Sequence, residues 1–214
     1  MIKLVRGVDR SKYLRYMDEM FRGRALVFRD RLGWDVTVTS GWEVDAYDDE
    51  NPLYLLSIDP SSDHVHGSLR LMPTTGRTLL KEVFANQFSE PVDLASATIW
   101  EGTRFCVHPN SPVEPTEAGV NRTTCELFLG MCEVGLRAGL SQIIGVFDRR
   151  MVRIYRRIGW SPDVISSSDK FGRAPLFVGL WDVSAEALAA MWERNGITES
   201  VLDESKSLNV DAVA

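Results

Sequence analysis

Two apolar strands separated by one long helix constrain this chain more than any other feature. Residues 98–107, which include IWEGTRFCV, read as a strand, and 140–148, LSQIIGVFD, as a second. Between them 115–138 has the pattern of a helix, with Pro115 and Thr116 as start signals and Gly139 as the stop. A strand–helix–strand unit of this size predicts a parallel pair of neighbouring strands. Around it, apolar residues at helical spacing (Tyr13, Leu14, Met17, Met20, Phe21, Leu26) predict a helix over 10–32, closed by Gly33. WEVDAY, LYLLSID and HGSLRLMP, divided by Asp, Asn, Pro and Ser, predict an antiparallel meander. Residues 78–88 read as a short helix or loop, RRMVRIYRRIGW (149–160) as a helix, 175–183 as a final strand and 184–196 as a capped closing helix. The order implies an α/β (α+β) three-layer domain on one mixed sheet over residues 1–200, with 201–214 as a mobile tail.

The chain carries 24 basic and 30 acidic residues, a net charge of −6 that argues against non-specific nucleic-acid binding. No apolar run approaches membrane-spanning length, and MIKLVRGVDR lacks a signal-peptide core, so a cytoplasmic location is the expectation. Cys106, Cys125 and Cys132 stand among apolar residues without metal-ligand spacing and read as small buried hydrophobes. His64 and His66 read as a polar turn, and no metal site is expected. The charge is uneven. EVDAYDDE (43–50) has five acids, and FDRRMVRIYRR (147–157) has five arginines.

Six charged residues lie in or beside predicted elements among large apolar neighbours: Arg24, Asp45, Asp48, Arg70, Glu101 and Arg104. Buried charge is costly unless paired, so the six form either core ion pairs bracing the sheet or the lining of a polar pocket. Glu101 and Arg104 are three apart within IWEGTRFCV. On a regular strand they would face opposite sides, and Gly102 between them permits a bulge that re-aims them.

Taken with Phe28, Trp34 and Phe84, these positions resemble the signature of the acyl-homoserine-lactone synthases, the autoinducer synthases of quorum sensing. The strings RALVFRDRLGW, EVDAYDDENPLY, GSLRLMPT and WEGTRFCVHP carry the resemblance, which covers roughly residues 5–182. It implies a GCN5-related N-acetyltransferase-like three-layer αβα fold whose central sheet splays beside Glu101. It also implies transfer of an acyl group from acyl carrier protein or coenzyme A to the amine of S-adenosylmethionine. Lactonisation then releases methylthioadenosine. Both reactants are substrates, and no cofactor is expected.

The resemblance gives Glu101, Arg104, Asp45 and Asp48 catalytic roles. Glu101 is the general-base candidate, with backbone carbonyls of the splayed strand as the alternative. Arg24, Phe28, Trp34, Arg104 and Phe105 are assigned to S-adenosylmethionine, whose sulfonium and adenine suit aromatic faces. Arg70 and Phe84 support the pocket. Phe105, Leu127, Met131, Ile144, Gly145, Val146, Phe147 and Phe177 are assigned to the acyl chain, and Gly145, where 3-oxo-preferring relatives carry threonine, favours an acyl group without a 3-oxo oxygen. Acetyl-CoA-using relatives of the fold carry a Q/R-x-x-G-x-G/A loop, which HPNSPVEPTEAGVNRTT lacks. Arg149, Arg150, Arg153 and Arg157 suit docking of an acidic carrier protein or holding coenzyme A phosphates. Two other readings are an N-acyltransferase of the same fold acting on another amine, and a non-catalytic module that binds S-adenosylmethionine or an acyl carrier.

Overall fold

The computed structural model describes residues 1–84, 86–88, 92, 94–170 and 175–203. Its main sheet has seven strands: β1 (Ile2–Arg6), β4 (Leu53–Ile58), β5 (Val65–Pro73), β6 (Ile99–Val107), β7 (Gln142–Asp148), β9 (Leu176–Asp182) and β8 (Asp163–Ser168), in that spatial order. Every neighbouring pair is antiparallel except β6 and β7, which run parallel as the strand–helix–strand unit demands. A separate two-stranded hairpin joins β2 (Val38–Thr39) to β3 (Trp42–Glu43).

Helix α1 (Leu14–Ala25) covers one face of the sheet, and α3 (Arg122–Arg137), α4 (Arg149–Ile158) and α5 (Ala185–Asn195) the other. Strand β4 records both coverings. Leu53 and Leu55 pack with Phe128 and Leu129 of α3, while Tyr54, Leu56 and Ile58 pack with Met17, Met20 and Phe21 of α1. An edge strand of an open sheet would alternate apolar and polar residues; a strand buried on both faces need not. This is the three-layer, mixed-sheet fold expected.

Strands β6 and β7 pair only at Ile99–Gln142, Trp100–Ile143 and Glu101–Ile144, although they run on to Val107 and Asp148. Beyond Glu101 they diverge, so the sheet forks. The bulge in β6 falls further along the strand than Gly102. Ser68 pairs with Cys106 but Arg70 with Thr103, which leaves one extra residue on β6, and the left-handed residue there is Arg104 (φ 53°). The extra residue restores Arg104 to the face of Glu101 and Thr103, and sends Phe105 to the face of Gly102.

The expected 10–32 helix is three segments. A 3-10 turn over Gly7–Tyr13 precedes α1, and a π-turn over Leu26–Arg31 follows it, closed by Leu32 N–H donating to the Val27 carbonyl (2.9 Å). WEVDAY is a strand only at Trp42–Glu43. Asp45 then caps a 3-10 turn, accepting from Tyr47 N–H (3.0 Å) while Asp48 accepts from Asp45 N–H (2.9 Å). Helix α3 starts at Arg122 behind the Asn121 cap, because 115–121 closes into its own turn through Thr116 and Val120. The remaining helix, α2 (Leu79–Glu82), is one turn long. Strands β1 and β8 have no counterpart among the predicted elements. β8 is a polar edge strand, DVISSS, and β1 is short. Val201–Asp203 hydrogen-bond to Ile2 along β1, so they belong to the folded domain; the remainder of the expected tail lies outside the described residues. No helix among the described residues is long and apolar enough to cross a membrane.

Candidate active site

Five of the six charged residues singled out above, all but Glu101, close into a ring with Glu43. Arg24 of α1 meets Glu43 (2.5 Å) and Asp48 (2.9 Å), Arg70 of β5 meets Asp48 (2.9 Å) and Asp45 (2.5 Å), and Arg104 of β6 meets Asp45 (2.8 Å) and Glu43 (3.0 Å). Each arginine therefore joins two acids and each acid two arginines. Thr103 accepts from Arg70 (3.0 Å) and Tyr54 donates to Asp48 (2.9 Å). The three arginines match the three carboxylates, which is how such charge can sit almost without water. Burial alone would raise the Asp48 carboxyl, but Arg24 and Arg70 outweigh it and hold it well below the usual carboxylate range.

The ring is graded in depth. Arg24, Arg70, Glu43 and Asp48 are sealed inside, whereas the Arg104 and Asp45 side chains remain 11% and 16% exposed. On that open side the Arg104 guanidinium lies over the Phe28 ring (5.5 Å), and Phe28 stacks on Trp34 (5.1 Å). The π-turn places Phe28 here, and Trp34 N–H donates to the Phe28 carbonyl (2.9 Å). Phe28 is buried; Trp34 is about half exposed. One wall thus offers a cation, a carboxylate and two aromatic faces.

Glu101 stands at the vertex of the fork, the last residue of β6 to pair with β7. Its buried carboxylate accepts from Leu79 N–H (2.9 Å) and Leu80 N–H (2.6 Å) at the start of α2. Burial pushes its carboxyl up to about 7, against the opposing pull of those two N–H groups and of Arg70 and Arg104. A carboxyl poised there can hold or release a proton at neutral pH.

The other face of the fork is apolar. Gly145 and Phe147 of β7 share it with Phe105, Phe128, Met131, Tyr155, Phe177 and Trp181. Phe105 stacks on Phe128 (4.7 Å), and Tyr155 meets Phe147 and Trp181 edge-on, each at 5.1 Å. A Cβ on Gly145 would lie 3.3 Å from the Gly102 carbonyl and 3.4 Å from the Trp181 ring.

The family model for autoinducer synthases matches residues 10–191. The acyl-homoserine-lactone synthase of Rhizobium etli is 49% identical over 174 residues, covering 80% of this chain and 79% of that one. The chain belongs to the acyl-homoserine-lactone synthase family. Among solved structures, the CoA-dependent synthase MesI is 26% identical, with a TM-score of 0.82 over 96% of this chain and all of that one. The CoA-dependent synthase BjaI, solved with S-adenosylmethionine and isopentyl-CoA, shares the fold at 23% identity and a TM-score of 0.82, covering 99% and 97% of the two chains.

The structure separates several of the residues expected to act together. Arg24 is a sealed member of the ring with its donors spent on Glu43 and Asp48, so it stands behind Arg104 and Asp45 and away from the open side. Asp48 is likewise enclosed. Phe105 lies on the face opposite Arg104 and Phe28, because the bulge at Arg104 intervenes. The eight residues assigned to the acyl chain divide between two faces. Ile144 and Val146 pack with Leu80 and Phe84 on the Glu101 side, and Leu127 lies over Gly67 at β5. Phe105, Met131, Gly145, Phe147 and Phe177 remain together. Arg70 stands in the ring, and Phe84 packs with Leu80 and Ile144 just after α2.

Glu43 joins the ring, Tyr54 and Thr103 contact it and Trp181 lies beside Gly145, and none of the four was anticipated. Glu43 was recoverable in principle, since three buried arginines opposed by Asp45 and Asp48 leave one cation over. Of the arginines on α4, Arg150 is tied to Asp148, whereas Arg153 and Arg157 line a pocket with Arg156 and Arg194.

Proposed function

We propose that this chain acylates the α-amine of S-adenosylmethionine from an acyl thioester and then closes the lactone, releasing methylthioadenosine. The observation that carries the reading is the fork. Glu101 sits at its vertex with the Arg104–Asp45–Phe28–Trp34 wall on one face and an aromatic-lined apolar surface on the other.

In this reading the sulfonium and adenine lie against Trp34 and Phe28, and Arg104 attracts the substrate carboxylate. The thioester enters between the diverging strands, its acyl group directed to Phe105, Met131, Phe147 and Phe177. Glu101, directly or through a water, takes the ammonium proton. The amine nitrogen then attacks the thioester carbonyl, and the thiolate leaves. The substrate carboxylate oxygen displaces the sulfonium sulfur from the adjacent carbon chain, forming the lactone and methylthioadenosine. Asp45 and Asp48 act by holding Arg104 and Arg70 in place. The reaction draws on two substrates and no separate cofactor, and we place it in the cytoplasm. Gly145 offers no hydroxyl to a 3-oxo oxygen, which supports an acyl group without one.

The test is to incubate the protein with S-adenosylmethionine and a panel of acyl thioesters, following products by mass spectrometry. Methylthioadenosine and acyl-homoserine lactone should form together. Acylation of an amine without methylthioadenosine would sink the reading and favour another amine substrate; binding without turnover would point to a non-catalytic module.

A further inference from the structure

Helix α2 gives Glu101 two backbone N–H groups, yet a helix of one turn has little hold on its own place. Thr78 caps it, and Leu80 packs with Ile144 and Val178. A further tie comes from the charged ring. Tyr47 stands between Asp45 and Asp48 in the 3-10 turn, its side chain buried and its hydroxyl donating to Glu82 of α2 (3.1 Å). Arg77 closes on the same acid (2.7 Å) and reaches Glu50 at the end of that turn (2.8 Å). Arg70 and Arg77 each place a guanidinium 5.6 Å from the Tyr47 ring. The two Arg77 ion pairs are exposed and contribute little by themselves. Tyr47 is the buried member of this junction, and its ring is fixed by the same arginine that holds Asp45 and Asp48.

A chain of contacts thus runs from the ring through Tyr47 and Glu82 to α2, and from α2 to the carboxylate at the vertex of the fork. We propose that Tyr47 is a positioning residue for the reaction: by holding Glu82 it keeps the Leu79 and Leu80 N–H groups on Glu101, and so governs how tightly Glu101 holds a proton. The inference rests on the synthase reading for the role of Glu101. Hydrogen bonds from two N–H groups favour a carboxylate over a carboxylic acid, so slackening them lets the acid keep its proton to higher pH. The charged groups acting on Glu101 are Arg70 of β5 and Arg104 of β6. From β7 its neighbour is Ile144, and the α2 side chains Lys81 and Glu82 are engaged with the Thr74 carbonyl and with Arg77 and Tyr47. Burial, then Glu82, push the Tyr47 hydroxyl up to about 12, so it remains a donor across the range in which Glu101 titrates.

Two variants cut the link from its two sides. Tyr47→Phe keeps the ring and deletes only the hydroxyl; Glu82→Ala removes the acceptor at an exposed position of α2. In each, amide hydrogen exchange at Leu79 and Leu80 should quicken roughly 3- to 10-fold, the equivalent of one net hydrogen bond. The rise of kcat with pH should move up by roughly half a unit to one unit, which lowers kcat about 3- to 10-fold near pH 6 and hardly at all near pH 9. KM for S-adenosylmethionine should hold. The double variant should do no more than either single one, because both break the same contact. A kcat profile that stays in place while the melting temperature falls would leave Tyr47 a purely structural residue and overturn the proposal. Unchanged exchange at Leu79 and Leu80 overturns it as well. If wild type yields no methylthioadenosine with any donor, the synthase reading falls, while the exchange measurement still decides whether Tyr47 holds α2.

Discussion

Glu101 has two duties that a single substitution can separate. It anchors α2 through two backbone N–H groups, and its raised carboxyl suits proton removal. Glu101→Gln keeps one of the two acceptors for α2, sets its amide NH2 against the other N–H, and cannot take a proton. Turnover should fall well over tenfold, on the scale typical of general-base loss, with the fold kept and a melting temperature lowered only by the lost hydrogen bond. The wild-type kcat profile should rise with pH through about 7, and that rise should vanish in the variant. Near-normal turnover in Glu101→Gln would remove the residue from the chemistry.

His108 supplies a second residue-level expectation. It is packed over Gly23, with Nδ1 against the Val65 carbonyl (3.1 Å) and Nε2 without a partner. Burial drives it down to about 4, against the pull of the Val65 carbonyl. A histidine lowered from 6.5 contributes stability that is present above pH 6.5 and lost as pH falls towards 4. Denaturant titrations across that window should show the loss, and His108→Gln should flatten it.

At the scale of elements, the fork and the bulge were only partly legible. The charges in IWEGTRFCV signalled an irregular strand, and glycine is the usual residue for a bulge. The chain instead bends at Arg104, because two ion pairs, to Glu43 and Asp45, offset the cost of a left-handed arginine of roughly 1–2 kcal/mol. Local sequence cannot show partners sixty residues away. The turn at Asp45 was hidden for a related reason: alternation in WEVDAY mimics a strand, while the capping pair Asp45–Asp48 decides for a turn. The fork itself makes a prediction. In Gly145→Val the new side chain meets the Gly102 carbonyl and the Trp181 ring, so stability should drop by about 1–3 kcal/mol. Acyl-donor KM should rise and S-adenosylmethionine KM should not. The reverse pattern would place the acyl chain elsewhere.

Across the whole molecule, the three-layer order and the parallel pair could be read from strand and helix periods, because one core runs from Ile2 to Leu202 through β4, β5 and α3. What could not be read is how charge divides between two zones. The ring near α1 is balanced and mostly buried, whereas the arginines at α4 and α5 are unbalanced and exposed. Ionic strength should therefore separate the two substrates. Raising it from about 0.01 M to about 1 M shortens the screening length from about 30 Å to about 3 Å. KM for a coenzyme A thioester should climb steeply and KM for S-adenosylmethionine only slightly. Stability should depend on the ring in the opposite sense, with little response to salt. Asp48→Asn should cost about 3–5 kcal/mol, a large share of the 5–15 kcal/mol typical of a folded domain, as checked by thermal unfolding.

The closed ring also bears on how such a protein can change over generations. Replacing any one of Arg24, Glu43, Arg104, Asp45, Arg70 or Asp48 by a neutral residue leaves one unmatched charge in a largely buried ring. Neutrality returns only when an adjacent acid and base are lost together. A lineage cannot leave this arrangement by single steps without crossing a poorly folded intermediate. On the opposite face of the fork the side chains are uncharged, so a substitution there leaves no unmatched charge behind.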